Sequence, residues 1–192
     1  MKRTLGKSNI GVSAMGLGCW AIGGAFMFDG KPDGYGDVDD AESVRAIRSA
    51  VDHGVTFFDT SDAYGTGHSE TILGKALTGI RDKVVIGTKF GHVIDEKAKI
   101  ITGCDASRGY MRRALEDSLR RLGTDYVDLY TLHVGATDAE LDEIIDEFEA
   151  LKKSGKIRAY CWSTGDENLV RKFIDRSHGD AIMHTVNVFD YS

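Results

Sequence analysis

The sequence predicts a (β/α)8 barrel, and three observations carry that prediction. Six short apolar runs alternate with amphipathic helical patterns along the 192 residues, the pattern of parallel strands with helices packed outside them. The Gly16-x-Gly18 turn continues into Cys19 and Trp20 rather than Gly-x-x-Gly, so the turn that marks an open dinucleotide-binding sheet is missing. Asp59, Lys89 and His133 each close a successive apolar run, on the rim where parallel barrels assemble their active sites.

Lys2–Leu5 and Gly11–Met15, with Gly6–Ile10 between them, read as an N-terminal β-hairpin. Met15–Gly18 is the first core strand, and a Gly- and Asp-rich loop from Gly23 to Asp39 follows. A loop of that length in a packed domain implies a function, here as a border of the substrate pocket. Val44, Ile47, Ala50 and Val51 mark one helix face, stopped by Gly54. Val55–Phe58 is β-branched and aromatic, hence strand. Ile72, Leu73, Ala76 and Leu77 recur at helical spacing before the strand Lys83–Thr88. Ser107 caps a helix whose stripe is Met111, Leu115, Leu119 and Leu122, and Tyr126–Leu132 is the fourth core strand.

The next helix has the clearest start. Thr137 and Glu140 form a Thr-x-x-Glu capping box ahead of Leu141, Ile144, Ile145, Phe148 and Leu151. Lys152 and Lys153 suit the negative end of its dipole, and Gly155 ends it. Lys156–Trp162 is strand, Asp166 caps a helix carrying Leu169, Val170, Phe173 and Ile174, and Ala181–Val186 is the sixth strand.

Composition narrows the function. The formal net charge of −6 disfavours nucleic acid as a partner. No apolar run reaches the ~20 residues that span a membrane, and the basic start Lys2-Arg3 has no apolar segment behind it. Cys19, Cys104 and Cys161 are odd in number and widely spaced, which points to a reducing, cytoplasmic setting. Neither the aspartates from Asp29 to Asp40 nor the histidines match a metal-ligand spacing, so no metal is expected. The acidic residues from Asp138 to Glu149 read as a solvated helix face, and Arg112, Arg113, Arg120 and Arg121 as exterior charges.

Tyr64 follows Asp59 closely, so a carboxylate, a phenol, an ammonium and an imidazole are expected to share one pocket. A free phenol, with a pKa of about 10, is a poor acid at neutral pH. A cation at ~4 Å with an effective dielectric near 20 contributes about 4 kcal/mol, or roughly three pKa units. Lys89 is therefore expected to acidify Tyr64, with Asp59 cancelling part of the effect and His133 orienting a carbonyl oxygen.

These segments resemble the aldo/keto reductases. The resemblance lies in Asp59-Thr60-Ser61-Asp62-Ala63-Tyr64-Gly65 with Ser69-Glu70, Gly16-Leu17-Gly18-Cys19-Trp20, Thr88-Lys89-Phe90-Gly91, Asp128-Leu129-Tyr130 leading to His133, and Gly155-Lys156-Ile157-Arg158. It implies Tyr64 as proton donor, Lys89 and Asp59 as its tuning pair, and His133 as the orienting group. The implied cofactor is NADPH, with NADH left open, and the implied substrate is a small aldehyde or ketone. Cofactor contacts would come from Cys19, Trp20, Asp59, Ser163, Thr164 and Met183. Thr164 replaces the family's usual Asn, and Met183 stands where a carboxamide-holding Gln is common.

A complete barrel of this kind takes about 250 residues, whereas this chain stops just after its sixth strand. The expectation is a single barrel domain over residues 1–192, truncated after strand six, with weak or no activity as it stands. Its open strand edges would favour self-association. Two rival functions share the fold: a Schiff-base enzyme with Lys89 as nucleophile, and a non-catalytic nicotinamide-binding barrel acting as sensor or accessory subunit.

Overall fold

The computed structural model describes residues 2–185. Strands β1 (Lys2–Thr4) and β2 (Gly11–Ser13) form the antiparallel hairpin at the start of the chain. They are followed by β3 (Gly16–Gly18), β4 (Phe26–Phe28), β5 (Lys31–Asp33) and α1 (Asp40–Asp52). Next come β6 (Phe57–Asp59), α2 (His68–Leu77), β7 (Val85–Phe90), β8 (His92–Asp95), β9 (Ile100–Cys104) and α3 (Arg108–Leu122). The chain continues through β10 (Val127–Leu132), α4 (Asp138–Lys153), β11 (Ile157–Ser163), α5 (Glu167–Arg176) and β12 (Ala181–Met183).

The main sheet runs β3-β6-β7-β10-β11-β12, with every neighbouring pair parallel. Two apolar clusters hold it. One lies between the strands and the helices, built on Phe58, Ile86, Tyr130 and Trp162 against Leu73, Leu115 and Phe148. The other joins Ile10 and Val12 of the hairpin to Val85, Leu129, Ala159 and Cys161. The hairpin thus covers the N-terminal ends of the strands and leaves their C-terminal ends open for a site.

The caps follow the sequence. Asp39, Ser107, Thr137 and Asp166 each accept a backbone N–H at a helix start, and Thr137 with Glu140 completes the capping box. The second strand is displaced from Val55–Phe58 to Phe57–Asp59. Val55 still donates back to Ala50 O, and Thr56 exchanges side-chain hydrogen bonds with Ser13. Of the sixth strand, Ala181–Met183 is seen, and Val186 lies outside the described residues.

Three expectations are corrected. The Gly23–Asp39 segment is not all loop: β4 and β5 form a hairpin that joins the β8–β9 hairpin in a four-stranded sheet, β5-β4-β9-β8. Pro32 sits on the outer strand β5, where its missing N–H costs no ladder bond. Arg121 is not an exterior charge, because its side chain is 4% exposed and Nε lies 2.6 Å from the fully buried Glu70. The acidic face of α4 is not uniformly solvated, since Glu147 is buried and takes both an Nε and an Nη2 hydrogen bond of 2.7 Å from Arg112.

Candidate active site

Register brings the rim residues together. Asp59 ends β6 and pairs with Gly87, two residues before Lys89 on β7, and Lys89 pairs with Thr131 of β10. His133 follows directly after β10, its N–H donating to Phe90 O. Tyr64 lies in the turn between β6 and α2, where main chain meets main chain: a Cβ on Gly65 would fall 1.8 Å from Gly23 O. Gly65 has φ +60, so both its conformation and this contact require glycine.

Lys89 Nζ lies 2.7 Å from Asp59 Oδ2, 2.7 Å from Thr60 O and 3.1 Å from Tyr64 Oη. An ammonium has three hydrogens and accepts nothing, so all three are committed and Tyr64 Oη accepts one. The phenol's own hydrogen is then left for another acceptor. The Tyr64 and His133 rings meet edge to face with centroids 6.1 Å apart. Trp20, half exposed, stacks on Tyr64 at 6.1 Å and meets Tyr35 at 5.4 Å, giving the rim an aromatic wall. The four-stranded sheet borders the same mouth, with Lys99 Nζ donating to Gly65 O and His92 5.3 Å from the His133 ring.

The charge states differ from the expectation in one respect. Burial raises the Tyr64 pKa, Lys89 pulls it down and Asp59 pushes it up, and the net direction is upward. Desolvation of the phenolate, which spacing along the chain does not reveal, outweighs the ammonium. Burial works against the Lys89 charge, yet Asp59 and Tyr64 outweigh it and its pKa is raised. Burial, then Lys89 and His92, hold His133 down at about 3, so its imidazole is neutral at pH 7.

A depressed histidine carries a stability signature. The unfolded ring binds a proton near 6.5 and the folded ring near 3, so this contribution is complete above pH 6.5 and is lost as pH falls toward 3. Unfolding free energy measured across that window is expected to decline less steeply in His133→Asn than in the parent. Equal slopes would refute the depressed value.

The other candidates lie on the same rim but differ in availability. Ser163 ends β11 opposite Met183 at the end of β12, and its hydroxyl makes no hydrogen bond among the described residues. Thr164 donates its N–H to Met183 O and accepts from Asp166 N, so it helps build the turn into α5. Cys19 is fully buried, with its Sγ–H directed at Leu17 O and its pKa pushed up to about 12. Asp59 Oδ1 is buried without a partner among the described residues. Sequence reasoning passed over Asp62, Glu70 and Arg121 as functional neighbours, although Arg121 continues the Ala114, Ser118 face of α3.

The family model described as the aldo/keto reductase family matches residues 14–188. This chain belongs to the aldo/keto reductase family. Its parallel sheet is accordingly the barrel wall of that family. Among solved structures, the holo form of aldo-keto reductase AKR11C1 from Bacillus halodurans matches with a TM-score of 0.84 and 35% identity, covering 96% of this chain and 57% of that one. The glycerol dehydrogenase AKR11B4 of Gluconobacter oxydans matches at 0.82 and 32%, over 98% of this chain and 56% of that one. An NADH-specific methylglyoxal reductase of Escherichia coli is 32% identical over 98% of this chain and 60% of its own length. The chain thus spans little more than half the length of these reductase relatives. Among the described residues, no helix is long and apolar enough to cross a membrane.

Proposed function

We propose that the chain acts in the NADPH-dependent reduction of an aldehyde or ketone to an alcohol. The observation that carries this reading is the single ammonium of Lys89, held between Asp59 and the oxygen of Tyr64. A nicotinamide cofactor, when bound, supplies hydride to the carbonyl carbon. Tyr64 donates its phenolic proton to the carbonyl oxygen, and the phenolate left behind lies 3.1 Å from Lys89 Nζ. Burial keeps the phenol protonated between turnovers, while Lys89 stabilises the anion as it forms. Neutral His133 orients the carbonyl oxygen by a hydrogen bond rather than by charge.

The donor set fits a nicotinamide in part. The Ser163 hydroxyl and Asp59 Oδ1, neither with a partner among the described residues, suit a carboxamide and offer an acceptor on the same rim. Met183 has no side-chain donor for that group. A Klebsiella pneumoniae relative solved with NADP and acetate supports NADPH, and the NADH-specific Escherichia coli relative marks the competing choice.

A single barrel domain, a cytoplasmic setting and self-association through the end strands β3 and β12 belong to the same proposal. The free thiols of Cys19, Cys104 and Cys161 support the reducing compartment, and the end positions of β3 and β12 support edge pairing.

Lys89 argues against Schiff-base chemistry. That reaction needs a neutral amine, whereas Asp59 and Tyr64 favour the ammonium. The test is oxidation of NADPH with a panel of small aldehydes, methylglyoxal included, alongside borohydride trapping. Aldehyde-dependent oxidation, even if slow, without a Lys89 adduct is expected. A trapped adduct, or tight cofactor binding with no turnover of any aldehyde, would overturn the proposal.

A further inference from the structure

Behind His133 lies a buried pair that the reduction itself does not use. Ser61 is fully buried and Asp62 is 1% exposed. Ser61 Oγ accepts the Ala63 N–H at 3.1 Å, and stands 3.2 Å from Asp62 Oδ1 and 3.4 Å from His133 Nδ1. A hydroxyl has one hydrogen and two lone pairs, so the direction of this chain is decided at one end. If Asp62 were ionised, the Ser61 hydrogen would go to the carboxylate and His133 Nδ1 would have to carry a proton. If Asp62 is neutral with its hydrogen on Oδ1, the oxygen that faces a partner, that hydrogen fills the second lone pair of Ser61, and the Ser61 hydrogen goes to His133 Nδ1.

Resting on the reductase reading, we propose that Ser61 and Asp62 are positioning residues. Together they fix the ring tautomer of His133, so that Nε2 carries the hydrogen and donates to the carbonyl oxygen. The surroundings select the neutral form of Asp62. Among the described residues its Oδ2 is buried without a partner, an arrangement that penalises a charged carboxylate heavily. The nearby cation, Arg121, is already engaged by Glu70 and Glu96 at 2.6 Å each. Burial pushes the Asp62 carboxyl well above the usual carboxylate range and the Glu70 charge adds to that push, together outweighing the pull of Arg121, Ser61 and the Ala63 N–H. Among the described residues His133 Nε2 has no hydrogen-bond partner, so it is the nitrogen left for a substrate. The neutral imidazole donor that orients the carbonyl thus depends on a carboxylic acid that never meets the substrate.

The test reads the tautomer directly, by nitrogen NMR of imidazole-labelled chain at neutral pH. The Nε2–H form is expected to predominate in the parent and in Asp62→Asn, whose amide can donate to Ser61 as the neutral acid does. Ser61→Ala is expected to lose that predominance and show a mixture of tautomers, with its melting transition retained. An Nδ1–H ring in the parent, a tautomer reversed by Asp62→Asn, or an unchanged ring in Ser61→Ala would each overturn the proposal. The readout needs no turnover. A chain that shows the expected tautomers but reduces no carbonyl upholds this inference and refutes only the function on which its purpose rests.

Discussion

Tyr64→Phe is expected to lower kcat for carbonyl reduction by about 10²- to 10⁴-fold, the usual contribution of a positioned general acid. Phenylalanine keeps the ring that stacks on Trp20 and meets His133 edge to face. It removes only the oxygen bonded to Lys89 and the hydrogen beyond it. Lys89 keeps Asp59 Oδ2 and Thr60 O as partners, so the barrel wall is expected to fold unchanged. Single-turnover kinetics with saturating NADPH, together with cofactor titration, separate the two effects. Loss of rate with unchanged cofactor affinity is the expected outcome, and turnover within tenfold of the parent would remove Tyr64 as the proton donor.

The largest stability effect is expected at Arg121. Its Nε holds Glu70 Oε2 and its Nη1 holds Glu96 Oε1, each at 2.6 Å, while Thr88 Oγ1 donates to the other oxygen of Glu70. Arg121→Met would leave the fully buried Glu70 without its cation and close to Asp62. Removing one partner of a buried pair costs about 3–5 kcal/mol, because the remaining charge is neither solvated nor neutralised. Chemical denaturation should show that loss. Adding Glu70→Gln to Arg121→Met should recover part of it, since the stranded charge is then gone. A double variant no more stable than Arg121→Met would show that packing, not charge, sets the cost.

The barrel strands and the meeting of Asp59, Tyr64, Lys89 and His133 on one rim could be read from the sequence because each depends on local pattern. Apolar runs give the strands, helical spacing gives the helices, and their alternation fixes which strand ends share a rim. Asp59, Lys89 and His133 followed from that geometry alone. The four-stranded sheet did not, because β4, β5, β8 and β9 are short and mostly exposed or half-buried, and its two local hairpins meet only through the β4–β9 pairing, far apart in sequence (Met27 with Ile100). Arg121 was misread for a different reason. Arginine usually marks solvent, yet positions 114, 118 and 121 share one face of α3, and Glu70 supplies the partner that makes burial tolerable. The Tyr64 pKa was misjudged because spacing reveals which charges are near a group but not how much water has been taken from it.

The contact between Gly23 and Gly65 has a consequence for how such a pocket is supported. The depth of the phenol below the mouth is set by two peptide planes lying against each other, with no side chain in the gap. Trp20 and Tyr35, which decorate the surrounding wall, take no part in that main-chain contact. On the proposed reading, the wall that would meet a substrate and the phenol that would supply the proton thus rest on separate supports, one of side chains and one of main chain.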